Sequence, residues 1–202
     1  MQKGTVRSVN LSKRKGGRKT PVAGGSAHVI EQLGFEGDGH AGHWHRQVSL
    51  LAWESVLKAR AAGLDVKEGD FAENITTEGI DLLQLPLGTQ VRVGDAVVLE
   101  VSQIGKVCHT RCAIYYLAGD CIFPREGVFF VALRGGEVRV GDAVEVVKMG
   151  EGTCAFTPQE ALDEIARERA REAAGESAEA CETCDGCEAA ARMAASMEAA
   201  GR

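Results

Sequence analysis

Short runs of apolar and polar side chains, bounded by glycine and aspartate, fill the first three quarters of this chain. In Val97–Ile104 the apolar positions 97, 99 and 101 alternate, the period of a half-buried strand. Similar runs occur at Thr5–Leu11, Ala27–Ile30, Gln47–Leu51, Ala72–Thr76 and Val128–Leu133. Gly-Asp or Asp-Gly pairs punctuate them around Asp38, Asp70, Asp95, Asp120 and Asp142. Glycine supplies positive φ and aspartate closes its own turn, so these pairs are turn signals. The run Val91-Arg92-Val93-Gly94-Asp95-Ala96-Val97 recurs at Val138-Arg139-Val140-Gly141-Asp142-Ala143-Val144. Each copy reads as strand, tight turn, strand, and the two read as similar corners of one sheet. Many short strands and few helices predict a mainly β fold, a barrel or sandwich.

Two helices interrupt this pattern. Trp53 to Ala62 is rich in helix formers and stops before Gly63, a residue suited to the C′ position. Thr157-Pro158-Gln159-Glu160 has the spacing of a capping box, with proline at N1. The narrow stripe Ala161, Leu162, Ile165 and Ala166 follows it, and Gly175 interrupts it. The remaining Ala/Glu-rich sequence has too little apolar bulk to form a core. The expected organisation is therefore a β-barrel domain over 1–150 and an acidic helical or partly disordered tail over 151–202.

Charge sharpens that division. Residues 1–150 carry 18 Lys+Arg against 17 Asp+Glu, whereas residues 151–202 carry 5 against 12. A near-neutral body with an acidic tail argues against a broad nucleic-acid surface. With 45% hydrophobic residues and 202 positions the chain can bury one full core. It contains no run long and apolar enough to span a membrane, and its first residues lack the apolar centre of a signal peptide. A cytoplasmic protein is expected, with its seven cysteines as thiols or ligands.

The densest chemistry is Gly105-Lys106-Val107-Cys108-His109-Thr110-Arg111-Cys112. Basic neighbours lower a thiol's pKa, and the thiolate is the form that attacks sulfur and binds metal. Lys13, Arg14, Lys15, Arg18 and Lys19 surround Gly16-Gly17, where the backbone can approach a phosphate closely. His40, His43 and His45 could seed a metal site, although they lack the His-Glu-x-x-His pattern. Asn74, in Gly69-Asp70-Phe71-Ala72-Glu73-Asn74, offers donors and an acceptor for the edge of a heterocycle. Cys181, Cys184 and Cys187 have ligand spacing for zinc or an iron–sulfur cluster at a second site in the tail, with Cys154 as a fourth ligand.

The ordered set of segments resembles the MOSC domain, the C-terminal domain of molybdenum cofactor sulfurases. The segments are Gly37-Asp38-x-His40-Ala41-Gly42, Arg46-Gln47-Val48-Ser49, Gly69-Asp70-Phe71-x-Glu73-Asn74, Gly105-Lys106-x-Cys108-His109-x-x-Cys112-Ala113-Ile114 and Gly119-Asp120-Cys121-Ile122-x-Pro124-Arg125-x-Gly127-Val128-Phe129. The resemblance covers about residues 4–147. The resemblance implies a MOSC-type β-barrel and molybdenum cofactor (molybdopterin) as ligand. It implies one of two activities: sulfur carriage to the metal as persulfide, or reductive chemistry on N-hydroxylated compounds. Cys112 or Cys108 would carry sulfur or coordinate molybdenum, beside His109. Lys13, Lys15, Arg18 and Lys19 would hold the cofactor's phosphate, and His40, Arg46, Asn74 and Arg111 would orient it.

The chain has no segment of suitable length for a pyridoxal-phosphate desulfurase. A cysteine desulfurase or a cofactor-biosynthesis protein is therefore the expected partner. Two other readings stand beside this one: a metal-dependent hydrolase using His40, His43 and His45, and a non-catalytic accessory protein whose acidic helix docks another biosynthesis protein.

Overall fold

A computed structural model describes residues 2–15, 17–106 and 121–152. The chain order is β1 (Lys3–Leu11), β2 (Thr20–Pro21), β3 (Ser26–Ile30), β4 (Gly34–Phe35), β5 (Val48–Ala52), α1 (Trp53–Ala61) and β6 (Ile75–Glu78). A 3-10 turn (Leu82–Gln84), β7 (Gln90–Val93), β8 (Val97–Ile104), a short α2 (Phe123–Glu126), β9 (Val128–Arg134), β10 (Gly136–Arg139) and β11 (Ala143–Lys148) follow.

Seven of these strands close a ring in the order β1-β11-β7-β8-β9-β5-β6 and back to β1, with β2 extending the end of β1. A closed ring of seven cannot reverse direction at every junction, because the last strand would then meet the first in the wrong sense. One parallel pair resolves the conflict, and it is β5 with β6, Leu50 opposite Ile75. A parallel pair needs a crossover, and α1 with the loop to residue 74 provides it. The crossover folds against the outside of the barrel, which gives the site its floor.

Alternation along each strand sorts the apolar side chains into two cores. Val48, Leu50, Ile75, Leu99, Val101, Phe130 and Val144 belong to the larger cluster that fills the barrel. Leu51 and Phe129, one residue out of phase, join Trp53, Val56, Val66, Phe71, Ile122 and Phe123 in an outer layer. The three-stranded sheet β10-β3-β4 contributes Val29, Phe35 and Val138 to the inner cluster.

Most expected strands fall where the alternation places them, and α1 ends at Ala61, with Ala62 as its C-cap and Gly63 following at φ 95°. The strand expected over Ala72–Thr76 instead begins at Ile75. Ala72 has φ 69°, and the Glu73 side chain accepts from the Gly69 amide, so residues 69–74 form a turn. The repeated Val-Gly-Asp segments also differ from expectation. The first joins two neighbouring barrel strands, β7 and β8, but the second joins β10 of the small sheet to β11 of the barrel. The two corners abut: the Gly94 amide donates to Ala143 O at 2.9 Å. A Cβ on Gly94 would lie 2.6 Å from an Asp142 carboxylate oxygen.

The helix expected after Thr157 and the tail cysteines lie outside the described residues. An antiparallel bridge between Leu87 and Gly152 carries the body's own pairing two residues past position 150. Truncation after Gly152 is expected to leave the thermal midpoint within about 4 °C of the full chain, the shift expected for about 1 kcal/mol in a domain this size. A midpoint loss well beyond that, measured by calorimetry, would place the tail within the core.

Candidate functional site

Three loops converge at the end of β1 and the starts of β5 and β6. They are residues 12–19, 37–46 and 66–74. Their shared element is a buried ion pair. Lys19 Nζ lies 2.6 Å from both carboxylate oxygens of Asp38, and both side chains are 1% exposed. Asp38 also accepts from the Ser12 amide at 3.1 Å and the His40 amide at 2.9 Å. Burial alone would push the Asp38 carboxyl up. Hydrogen bonding from His40 and the charge and hydrogen bonds of Lys19 outweigh it and hold the group well below the usual carboxylate range. Asp38 is therefore a fixed anion.

Behind Lys19 lies a second buried carboxyl with the opposite tendency. Glu73 Oε1 accepts from the Gly69 amide at 2.7 Å and the Thr76 hydroxyl at 2.8 Å. Oε2 is buried without a hydrogen-bond partner among the described residues. Burial pushes this carboxyl up to about 7, against the hydrogen bonds from Gly69 and Thr76. The Lys19 amide donates to Gly69 O at 2.8 Å. Gly69, at φ 83°, admits no Cβ, which would lie 2.3 Å from Lys19 O. Asn74 completes this floor. Its Oδ1 accepts from the Ser49 amide and hydroxyl, both at 3.1 Å, and its Nδ2 donates to Asn10 O at 3.4 Å.

Rings and cations line the outer side. The Arg46 guanidinium lies 4.8 Å from the Trp44 ring centroid and 5.6 Å from that of Phe129, within the range of cation–π attraction. Trp44 Nε1 donates to His40 O at 2.9 Å. A β-bulge between Val101 and Gln103 lets Ser102 turn its hydroxyl to His45 O and Phe129 O. Lys106 lies over the Phe123 ring at 5.2 Å, and its charge acts on Lys19. The chain bearing Cys108, His109, Arg111 and Cys112 leaves the described structure after Lys106, so those four lie outside it.

The structure brings Lys19, His40, Arg46 and Asn74 into this one region and leaves Lys13, Lys15 and Arg18 exposed on its rim. Two of them are placed differently from a free ligand-binding side chain. Lys19 is committed to Asp38, and Asn74, 1% exposed, to the backbone. Arg18 lies 3.5 Å from Asp70. The three histidines do not converge: His40 faces Asp38 at 3.6 Å, and His45 bonds Gln103 at 2.9 Å. Among the described residues no group of three His, Cys, Asp or Glu side chains is arranged to hold a metal ion. Among the described residues the three histidines thus do not form a zinc site.

Reasoning from sequence missed Asp38 and Glu73 as the electrostatic centre. The available signal was a carboxylate near glycine in each motif, Asp38 between Gly37 and Gly39 and Glu73 four residues after Gly69.

Removing one partner of the buried pair leaves the other charge unpaired. Lys19→Met is expected to cost about 3–5 kcal/mol, and the double variant Lys19→Met/Asp38→Asn to recover much of that loss in urea unfolding. A double-variant loss equal to the sum of the separate Lys19→Met and Asp38→Asn losses would show that the charges are not coupled.

Glu73 sets a pH signature. In the folded protein it keeps its proton above the ordinary glutamate value of 4.5, up to about 7. Its contribution to stability is therefore full below 4.5 and is lost as pH rises through about 7. The decline is on the order of 3 kcal/mol. Glu73→Gln keeps the acceptor and lacks the titration. Its stability relative to the parent should rise over that window, and parallel pH profiles for the two proteins would refute the assignment.

Comparison with known proteins supplies the lineage. The family model described as MOSC domain matches residues 37–145. Solved structures with a similar fold include the YuaD protein from Bacillus subtilis, 17% identical with TM-score 0.61, covering 73% of this chain and 97% of that one. YiiM from Geobacillus stearothermophilus is 21% identical with TM-score 0.58, covering 82% and 85% of the two chains. YiiM from Escherichia coli is 24% identical with TM-score 0.56, covering 80% and 76%. No curated protein matches the chain. The family match covers more than half of the chain, including two of the three converging loops, those of Asp38 with Arg46 and of Glu73, and on that match the chain belongs to the MOSC domain family.

Proposed function

We propose that this chain binds molybdenum cofactor at the Asp38–Arg46–Glu73 end of the barrel. There it serves either sulfur carriage to the metal or reduction of N-hydroxylated compounds. The observation that carries the reading is the placement of the motif residues around Lys19 and Asp38, beside Lys106, where the Cys108–Cys112 segment departs. The residues present fit such a ligand. Lys13 and Lys15 are exposed cations suited to a phosphate, and Arg18 stands on the same rim. Arg46, whose guanidinium lies near the Trp44 and Phe129 rings, adds a cation at the same end of the barrel.

When bound, the cofactor would supply a redox-active metal that accepts sulfur ligands. Cys112 or Cys108 would hold that metal or carry the persulfide, thiolate being a suitable soft ligand. Lys19 and Asn74 would act through the loops they fix rather than by touching the ligand. Sulfur would come from a cysteine desulfurase, and the cofactor from a biosynthesis protein.

Protein isolated from a cofactor-competent host is expected to carry molybdenum and to release pterin on denaturation. Lys13→Ala/Lys15→Ala/Arg18→Ala should weaken retention at least about tenfold, or about 1.4 kcal/mol. One of Cys108→Ser and Cys112→Ser should lose the metal while the other keeps it. Absence of both molybdenum and pterin, with no uptake of free cofactor, would end this reading.

A further inference from the structure

The orientation of His40 is not explained by packing alone. Its side chain is 27% exposed, yet Nδ1 is fully buried. Nε2, by contrast, has no hydrogen-bond partner among the described residues and is not a buried atom, so it reaches the surface. The charged atom facing Nδ1 is Asp38 Oδ1 at 3.6 Å, an ion-pair separation rather than a hydrogen bond. An unprotonated Nδ1 would turn its lone pair toward a carboxylate that Lys19 keeps anionic. A protonated Nδ1 turns a positive dipole toward it. The backbone enforces this placement, because Asp38 binds the His40 amide and Trp44 Nε1 binds the His40 carbonyl.

We propose that Asp38 and His40 form an acid–base dyad, in which Asp38 holds the imidazole with its proton on Nδ1 and leaves Nε2 as the proton acceptor. Its substrate would be a small ligand presenting an S–H or O–H group at the rim formed by Lys13, Lys15 and Arg18. The dyad deepens the cofactor reading and rests on it for the identity of that ligand. In the step, the ligand's S–H or O–H bond breaks and Nε2–H forms, with the electron pair left on sulfur or oxygen. Asp38 remains anionic throughout. It cannot compete for the proton, since its oxygens already accept from Lys19 Nζ and from the Ser12 and His40 amides. The reverse transfer returns the proton to a leaving sulfur or oxygen. This is the division of labour by which a buried aspartate fixes a histidine tautomer without taking its proton.

The test begins on the full-length protein without cofactor, so it does not depend on cofactor binding. Nitrogen-15 NMR of labelled histidines, with His40→Gln to assign the signal, should show neutral His40 protonated on Nδ1 and bare on Nε2. Diethyl pyrocarbonate should modify His40 Nε2 at a rate comparable with the exposed His43. A neutral form protonated on Nε2, or an inert Nε2, would overturn the dyad. In protein shown to contain molybdenum, folded His40→Gln should lower kcat about 100-fold with KM little changed, the usual contribution of a positioned acid or base. Unchanged kcat there would overturn the acid–base role even with the tautomer as expected. Failure of the cofactor reading would register separately, as absence of molybdenum from the parent protein.

Discussion

Everything at the open end of the barrel depends on one contact, the Lys19 ammonium between the two oxygens of Asp38. A charge removed from water costs several kcal/mol, and only close pairing with further hydrogen bonds returns that cost. Here the additional bonds come from the backbone of the loops themselves, through the Ser12 and His40 amides. The pair therefore does more than cancel charge. It ties residues 12–19, which follow β1, to residues 37–46, which precede β5. The Lys19 amide then ties both to Gly69 and the turn before β6. Three segments distant in sequence become one rigid rim.

The barrel makes that convergence possible. Because β5 and β6 are parallel, both begin at the same end, and β1, antiparallel to β6, finishes there. The motif-bearing loops before β5 and β6 and after β1 thus open on one rim without any helix to direct them. The crossover that the parallel pair requires brings Trp53, Val56 and Phe71 against Leu51 and Phe129. That outer layer supports Phe129, which in turn backs the Arg46 guanidinium. Ring closure, an economy of backbone hydrogen bonds that leaves few edges exposed, also determines where the chemistry can sit.

Much of this frame was legible in the sequence, because it follows from periodicity. Val97–Ile104 alternates, the mark of a strand with one apolar face, whereas Val128–Leu133 is apolar throughout and is buried on both faces, Phe130 in the barrel and Phe129 in the outer layer. The site was less legible because its logic is long-range. Nothing near Lys19 indicates that its partner lies nineteen residues away in another loop. A lysine in a basic run reads as a phosphate ligand until the fold places a carboxylate against it. Asn74 misled in the same way. An amide in a motif suggests recognition, and the turn at Ala72 and Glu73 instead turns it to hold Ser49 and Asn10. The repeat failed for a different reason: identical corners specify a turn, but not which sheet each arm enters.

Asp38 and Glu73 show how two carboxyls serve one lysine differently. Both are buried, and burial pushes both upward. Asp38 receives the ammonium directly together with backbone amides, and the charged form wins. Glu73 receives one amide and one hydroxyl on a single oxygen, leaving Oε2 without a donor, and the neutral form competes near neutrality. Separating two acids in this way assigns them opposite duties. The anion can orient a histidine or a ligand cation without exchanging protons. Lys19 feels both carboxyls: Asp38 and Glu73 each favour its charged form, against the burial that opposes it.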